Sequence, residues 1–148
     1  MNWFLCTITA TGKHNWELAN EFKMWGIPTL NKSPKSLGVN ENDKLVFWLA
    51  QAGYVGIATV TSPPFKPSEK KHAPWAGGTF RYGISIPINI DFRLETPLWV
   101  DFDSQIQTQT GIHVSALRRG FTLILSESGQ TISKLIKSAA KLENKKPK

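Results

Sequence analysis

The side chains soft enough to hold a transition metal are few: His14, His72, His113 and a single cysteine, Cys6. They show none of the close ligand spacings that metal sites use, and the Asp101–Asp103 pair is too short a motif to change that. Cys6 sits in "NWFLCTIT", where its like-facing neighbours are Phe4 and Ile8. That setting makes it a small buried hydrophobe rather than a thiolate. There is no glycine-rich phosphate loop, nucleophile elbow or kinase motif. The expectation is a protein with no catalytic residues, no metal and no cofactor, and so not an enzyme.

Stacking chemistry remains. Six tryptophans stand at positions 3, 16, 25, 48, 75 and 99. Trp48 lies in a central apolar run and reads as core, and Trp3 and Trp99 as core or sheet-face residues. Trp16 begins a helix and packs under the sheet. Trp25 and Trp75 are left as the pair best placed to line a cleft. Flat rings on opposite sides of a slot sandwich a planar base, at roughly 1–3 kcal/mol per contact. The amide of Asn15 can both donate to and accept from a base edge. The alternatives stay open here: Trp25 as packing, and Asn15 as the cap of the helix that follows it.

The elements that must position these groups follow from periodicity. Residues 2–9 read as a strand, and residues 16–24 as a short helix with Leu18, Phe22 and Trp25 on one face, ended by Gly26 and Pro28. "DKLVFWLA" (43–50) is a strand buried on both faces, turned by Gly53 into an antiparallel partner, "YVGIATVTS". Residues 79–91 alternate cleanly, with Phe80, Tyr82, Ile84, Ile86, Ile88 and Ile90 apolar and a bend or bulge near Pro87. "LRRGFTLILS" suggests a late strand, and "SESGQTISKLIKSAAKL" a helix with Ile132, Leu135, Ile136 and Ala139 buried. Strands are mostly adjacent and helices lie at the margins. The fold class is α+β, around a curled mixed β-sheet or small β-barrel flanked by a few helices. The connection over residues 63–78 is longer than most in compact domains, which marks it as functional or disordered.

Charge bears on partners. The formal net charge is +7, but residues 134–148 hold +5 of it and the remaining body only +2. A lysine-rich end is more often a solvated tail or linker than a binding arm, so charge alone does not define a nucleic-acid binder. The start, "MNWFLCTITATG", lacks the basic region of a signal peptide. No apolar stretch approaches the roughly 20 residues of a membrane helix. A soluble, cytoplasmic protein without a membrane partner is expected, organised as one domain over 1–142 and a basic polar tail or linker over 143–148.

Four segments together resemble the EVE and YTH domains of the PUA-like superfamily. "FLCTITATGKHNWELANEFKMWGIP" is similar to the EVE pattern N-W followed by W-G-[VI]-P. Its step from Asn15 to Trp25 fits the YTH spacing between a base-contacting polar residue and a cage tryptophan. "NENDKLVFWLAQAGYVGIATVTSPPF" is close to G-D-x-[IV]-[IV]-F-Y followed by F-x-G-[IV]-A-x-V-x-S, with Asn42 in place of the usual glycine and Trp48 of the usual tyrosine. "HAPWAGGTFRYGISI" supplies a tryptophan where YTH domains have a second cage wall, and "SESGQTI" is similar to the turn opening a late YTH helix.

The resemblance implies a PUA-like fold and a nucleic-acid partner carrying a methylated base, N6-methyladenine or 5-methylcytosine, with DNA favoured. The base would be flipped out or unpaired, because a stacked base cannot enter a pocket. Trp25 and Trp75 would be cage walls, and Asn15 a contact to the base edge. Thr9, Ala10 and Thr11 would line the pocket, and Gly26 would bring its backbone close to the base. The third cage position has no counterpart by spacing, and Trp16 stays unassigned. Lys66, Lys70, Lys71, Arg118 and Arg119 are the candidates for phosphate contacts. By the company such domains keep, the chain would be the specificity domain of a modification-dependent restriction system, with an NTPase module on the same or another chain. Three rivals stand beside this reading: a PUA-like RNA binder without methyl selectivity, a modified-nucleoside hydrolase of the ASCH kind, and a protein-interaction domain.

Overall fold

The computed structural model of the chain describes residues 1–145; Lys146, Pro147 and Lys148, at the end of the expected tail, lie outside the described residues. Apolar and β-branched side chains at Trp3–Ile8 form strand β1, buried at every position but Thr7. Helix α1 (Lys13–Phe22) follows, then strands β2 (Met24–Ile27), β3 (Lys44–Leu49), β4 (Gly53–Val60) and β5 (Ile84–Leu98). The short strands β6 (Phe102–Asp103) and β7 (Ile106–Gln107) pair with each other, and β8 (Phe121–Ile124) leads into helix α2 (Ser126–Lys145).

The main sheet has six strands in the order β2-β5-β4-β3-β1-β8. β1 and β3 run parallel, and the other neighbours are antiparallel. Register shifts at Phe47/Trp48, Tyr54/Gly56 and Ile57/Ala58 bend the sheet into a curled half-barrel, since a bulge kinks the strand and adds twist. This is the expected α+β class. The pleat sends alternate residues to two separate cores. Phe4, Cys6, Ile8, Leu45 and Phe47 join Trp16 of α1, Trp25 and Trp75 on one face. Leu5, Val46, Trp48 and Tyr54 join Ile132 and Ile136 of α2 on the other.

Several boundaries differ from the sequence reading. Helix α1 starts three residues before the expected position, with Gly12 at its N-cap, so Asn15 lies inside the helix and does not cap it. It ends at Lys23, a left-handed residue (φ 55°) whose N–H donates to the Ala19 carbonyl, rather than at Gly26 and Pro28. Trp25 and Gly26 instead lie in β2, opposite Ile86 and Ser85 of β5. Pairing with a long neighbouring strand overrides the helical spacing of that segment.

Strand β5 also begins later and runs further than its alternation indicates. Phe80 lies outside it, on a 3-10 turn over Gly78–Phe80, and is 90% exposed. The bend falls where Ile57 and Ala58 of β4 face Phe92 and Ile90, leaving Asp91 as the extra residue, and not at Pro87, which pairs with Met24. Trp99 is a further departure. It is 49% exposed and leans on Trp48 at 5.4 Å, whereas Trp3 and Trp48 are buried.

Asn42 adopts φ 75°, a backbone conformation that favours glycine and tolerates asparagine, which accounts for the residue found there. Next to it, the buried Asp43 carboxylate accepts the Asn2 and Asn40 backbone N–H groups at 2.9 and 2.8 Å. One guanidinium nitrogen of Arg93 in β5 donates to both carboxylate oxygens of Glu17 in α1, at 2.6 and 2.7 Å. Helix α2 continues through Lys145, into the segment expected as tail. There the Glu143 carboxylate accepts the Glu95 and Thr96 N–H groups at 3.2 and 2.9 Å. Among the described residues no helix is long and apolar enough to cross a membrane.

Candidate functional site

A cavity of about 640 Å³ opens where β1 ends, α1 begins and β2 meets the long connection between β4 and β5. The turn after β1 supplies Thr9 and Thr11, and the first turn of α1 supplies His14 and Asn15. β2 contributes Trp25 and Gly26; the connection contributes Trp75 and Ala76, and Arg81 and Tyr82 come from the residues ahead of β5. Arg119, Gly120 and Phe121 close the side nearest β8.

A continuous run of aromatic rings leads from the core to the cavity wall. Trp16 packs on Phe47 at 4.6 Å between ring centroids, and Phe47 on Trp25 at 5.1 Å. Trp25 then meets Trp75 at 5.9 Å, and Trp75 meets Tyr82 at 5.7 Å. Trp25 and Trp75 do not face each other across a slot. Their planes are inclined at 67°, edge against face, and a base sandwiched between two rings needs them nearly parallel and about two stacking distances apart. The pair forms a corner instead, with both rings buried (7% and 3% exposed) and both lining the cavity. A planar ligand in that corner has one ring under its face and the other against its edge.

Gly26 shapes the corner. A Cβ there would overlap the Trp75 indole nitrogen and lie 2.9 Å from Tyr82 Cδ1, so the absent side chain is what lets Trp75 reach its position. The polar groups are distributed around the same wall. Asn15 Nδ2 makes a long contact, 3.5 Å, with the Tyr82 hydroxyl. Freed from capping, its side chain lies at the cavity. Thr7 Oγ1 and Trp75 Nε1, both on lining residues, are buried without a hydrogen-bond partner among the described residues. Each orphaned group of this kind costs about 1–3 kcal/mol, so a ligand or water that satisfies it gains correspondingly.

The structure brings together Trp25, Trp75, Asn15, Thr9, Thr11 and Gly26 from the expected base-contact set; Ala10 is exposed and stands outside the lining. Of the expected phosphate contacts only Arg119 reaches the cavity. Arg118, Lys66, Lys70 and Lys71 are exposed away from the lining, and Lys71 pairs with Glu69 at 3.3 Å. Lys32, Arg81 and His14 line the cavity in addition, and Tyr82 was absorbed into the strand pattern of residues 79–91. The Gly77–Gly78 pair, two residues after Trp75, is a local signal that the chain turns there before the strand starts.

The long connection is neither loose nor free of the sheet. Phe65 and Ser85 exchange backbone hydrogen bonds at 2.9 Å, and Ser85 Oγ donates to the His72 carbonyl at 2.6 Å. Cys6 is fully buried, and desolvation raises its thiol pKa well above the ordinary value. No group of three or more His, Cys, Asp or Glu side chains among the described residues is close enough to hold a metal ion.

The curled six-stranded sheet with its two helices is a YTH-like fold. The YTH domain-containing protein mmi1 in complex with RNA superposes with a TM-score of 0.69 over 98% of this chain and 87% of that one, at 14% identity. The YTH domain of Zygosaccharomyces rouxii MRB1 in complex with N6-methyladenosine RNA gives 0.60 over 92% and 84%, also at 14% identity. The Toxoplasma CPSF4 YTH domain in complex with an m6A-modified RNA gives 0.61 over 92% and 91%, again at 14% identity. No protein-family model matches the chain. The UPF0310 protein PH1033 of Pyrococcus horikoshii is 32% identical over 103 residues, spanning 61% of this chain and 68% of that protein. The chain belongs to the UPF0310 family.

Proposed function

We propose that the protein is a nucleic-acid-binding module that admits one methylated base, unpaired or flipped out, into the corner between Trp25 and Trp75, and carries out no chemistry on it. The observation that carries this reading is the corner itself: two buried indoles lining a 640 Å³ cavity that has Asn15 within its wall and Arg81, Arg119 and Lys32 around it. Aromatic faces hold the base, an amide reads its edge, and cations hold the flanking phosphates. The YTH neighbours solved with N6-methyladenosine RNA support N6-methyladenine over 5-methylcytosine. The setting in a modification-dependent restriction system, with DNA as polymer and an NTPase partner, rests on the likeness to EVE domains alone.

The energetics set the scale. A methyl group in an apolar pocket discriminates by roughly 1–3 kcal/mol, or about 10- to 200-fold. General affinity comes from phosphate contacts and falls with salt. Short labelled single strands of DNA and RNA, plain or carrying N6-methyladenine or 5-methylcytosine, test this by anisotropy at about 50 mM salt. Trp25 and Trp75 belong to the core, so Trp25→Phe, Trp75→Phe and Asn15→Ala are safer variants than tryptophan-to-alanine changes. One modified strand is expected to bind at least about tenfold tighter than its plain match, with each variant eroding that preference while plain-strand binding holds. Equal binding of all strands refutes the reader, and a preference that survives all three variants refutes the corner as its site.

A further inference from the structure

We infer that the Phe80 ring is a second subsite, a stacking platform for the nucleobase next to the one held in the cavity; this rests on the reader function proposed above. Isolated apolar side chains on a surface ordinarily need no explanation. Phe80 differs in how it is held and where. At 90% exposed it is the barest large apolar side chain among the described residues, and it forgoes the burial that an aromatic ring ordinarily gains.

Its outward pose is built by the backbone. Gly77 and Gly78 have φ of 91° and 50°, in the left-handed region that other residues avoid. The Gly78 N–H donates to the Trp75 carbonyl at 2.9 Å, the Phe80 N–H to the Gly77 carbonyl at 3.1 Å, and the Tyr82 N–H to the Gly78 carbonyl at 2.9 Å. These bonds fix three rings on one short turn, with Trp75 and Tyr82 directed into the wall and Phe80 directed out. Trp75 and Ala76 before the turn and Arg81 and Tyr82 after it line the cavity, so the turn that carries Phe80 stands at its rim although Phe80 itself is not part of the lining.

The surroundings identify the occupant. Arg81, the next residue, lines the cavity and sets its guanidinium over the Tyr82 ring at 5.5 Å, and no acidic residue occurs between Ala73 and Ile84. A flat apolar face next to an unopposed cation matches a base and its phosphate. Every base has a π-face, so this contact adds affinity with little sequence preference. It would also hold the neighbouring nucleotide in place once the methylated base has left the stack.

The test compares a ligand that fills the cavity alone with one that extends past its mouth. Wild type, Phe80→Ala and Phe80→Trp are titrated with N6-methyladenosine monophosphate and with a trinucleotide carrying N6-methyladenine at its centre. Because the ring is exposed, both variants keep the fold, and thermal melting checks this. Phe80→Ala is expected to weaken the trinucleotide by about fivefold or more, and Phe80→Trp to match or exceed wild type, with the mononucleotide bound equally by all three. If Phe80→Ala binds the trinucleotide as wild type does while the methyl preference persists, the platform is wrong and the reader stands. If both ligands weaken equally, Phe80 acts on the cavity and the platform is again wrong. A wild type without preference for the methylated trinucleotide over a plain one overturns the reader and the platform together.

Discussion

A Cβ on Gly26 would overlap the Trp75 indole nitrogen and crowd Tyr82, so one missing methyl group sets the shape of the corner. Gly26→Ala should therefore cost about 1–3 kcal/mol of stability, the range for overpacking a core, and displace Trp75 from the cavity wall. Trp75→Phe, which removes the overlapping nitrogen, should relieve part of that strain. The double variant is then expected to be more stable than the sum of the single changes by about 1 kcal/mol, read by urea unfolding. Strict additivity would mean the glycine is there for some reason other than Trp75. The pairing of N-W with W-G-[VI]-P made Asn15, Trp25 and Gly26 legible as a group. Arg81 and Tyr82 were not legible, because apolar-polar alternation across residues 80–91 describes a strand and its approach equally well.

The elements show where local pattern fails. β1, β3, β4 and the buried face of α2 follow from runs and periodicities that the core then uses directly. β2 is invisible locally because "MWGI" continues the helical face of Leu18 and Phe22, and only its pairing with Ile84–Pro87 makes it a strand. The connection over residues 63–78 reads as loop by composition and length, yet Ala73 and Trp75 are buried within it. What pins it is Ser85, fully buried on the strand beneath, with its hydroxyl on the His72 carbonyl at 2.6 Å. Ser85→Ala removes the donor and leaves that carbonyl unsatisfied, at a cost of about 1–3 kcal/mol. Charged to local opening, this raises the open fraction roughly tenfold. Trypsin should then cut after Lys70 or Lys71 about tenfold faster than in wild type, while sites in α2 keep their rate. Equal cleavage of the two proteins would show that the buried residues of the connection and its backbone pairing with Ser85 hold it without the Ser85 hydroxyl.

At the scale of the molecule, the sheet separates two cores with different duties. The face carrying Trp16, Trp25 and Trp75 runs into the cavity; the face under α2 is sealed by Ile132, Ile136 and Tyr54. Tyr54 is fully buried, and its hydroxyl donates to Gln107 Oε1 at 2.6 Å, an oxygen that also accepts from Thr110 at 2.6 Å. Burial pushes the Tyr54 phenol well above its ordinary range, and the two polar neighbours only partly offset this. The phenol thus keeps its proton in the folded state at a pH where the unfolded chain has released it. Its stabilising contribution is complete below about pH 10, the unfolded value, and is lost as pH rises toward the folded one. Cys6, raised by the same desolvation, adds a loss that starts nearer pH 9. Urea unfolding at intervals between pH 7 and pH 11 should show stability falling by about 1.4 kcal/mol per pH unit per buried acid once its unfolded pKa is passed. Tyr54→Phe should remove the tyrosine's share of that slope at a cost near 1 kcal/mol at pH 7, since Gln107 Oε1 keeps the Thr110 donor. The variant should leave discrimination between methylated and plain strands untouched, because Tyr54 lies on the far face of the sheet from Trp25. A Tyr54→Phe protein that bound normally but kept the full alkaline slope would place the titrating group elsewhere. One that lost strand discrimination would show that the two cores do not act independently.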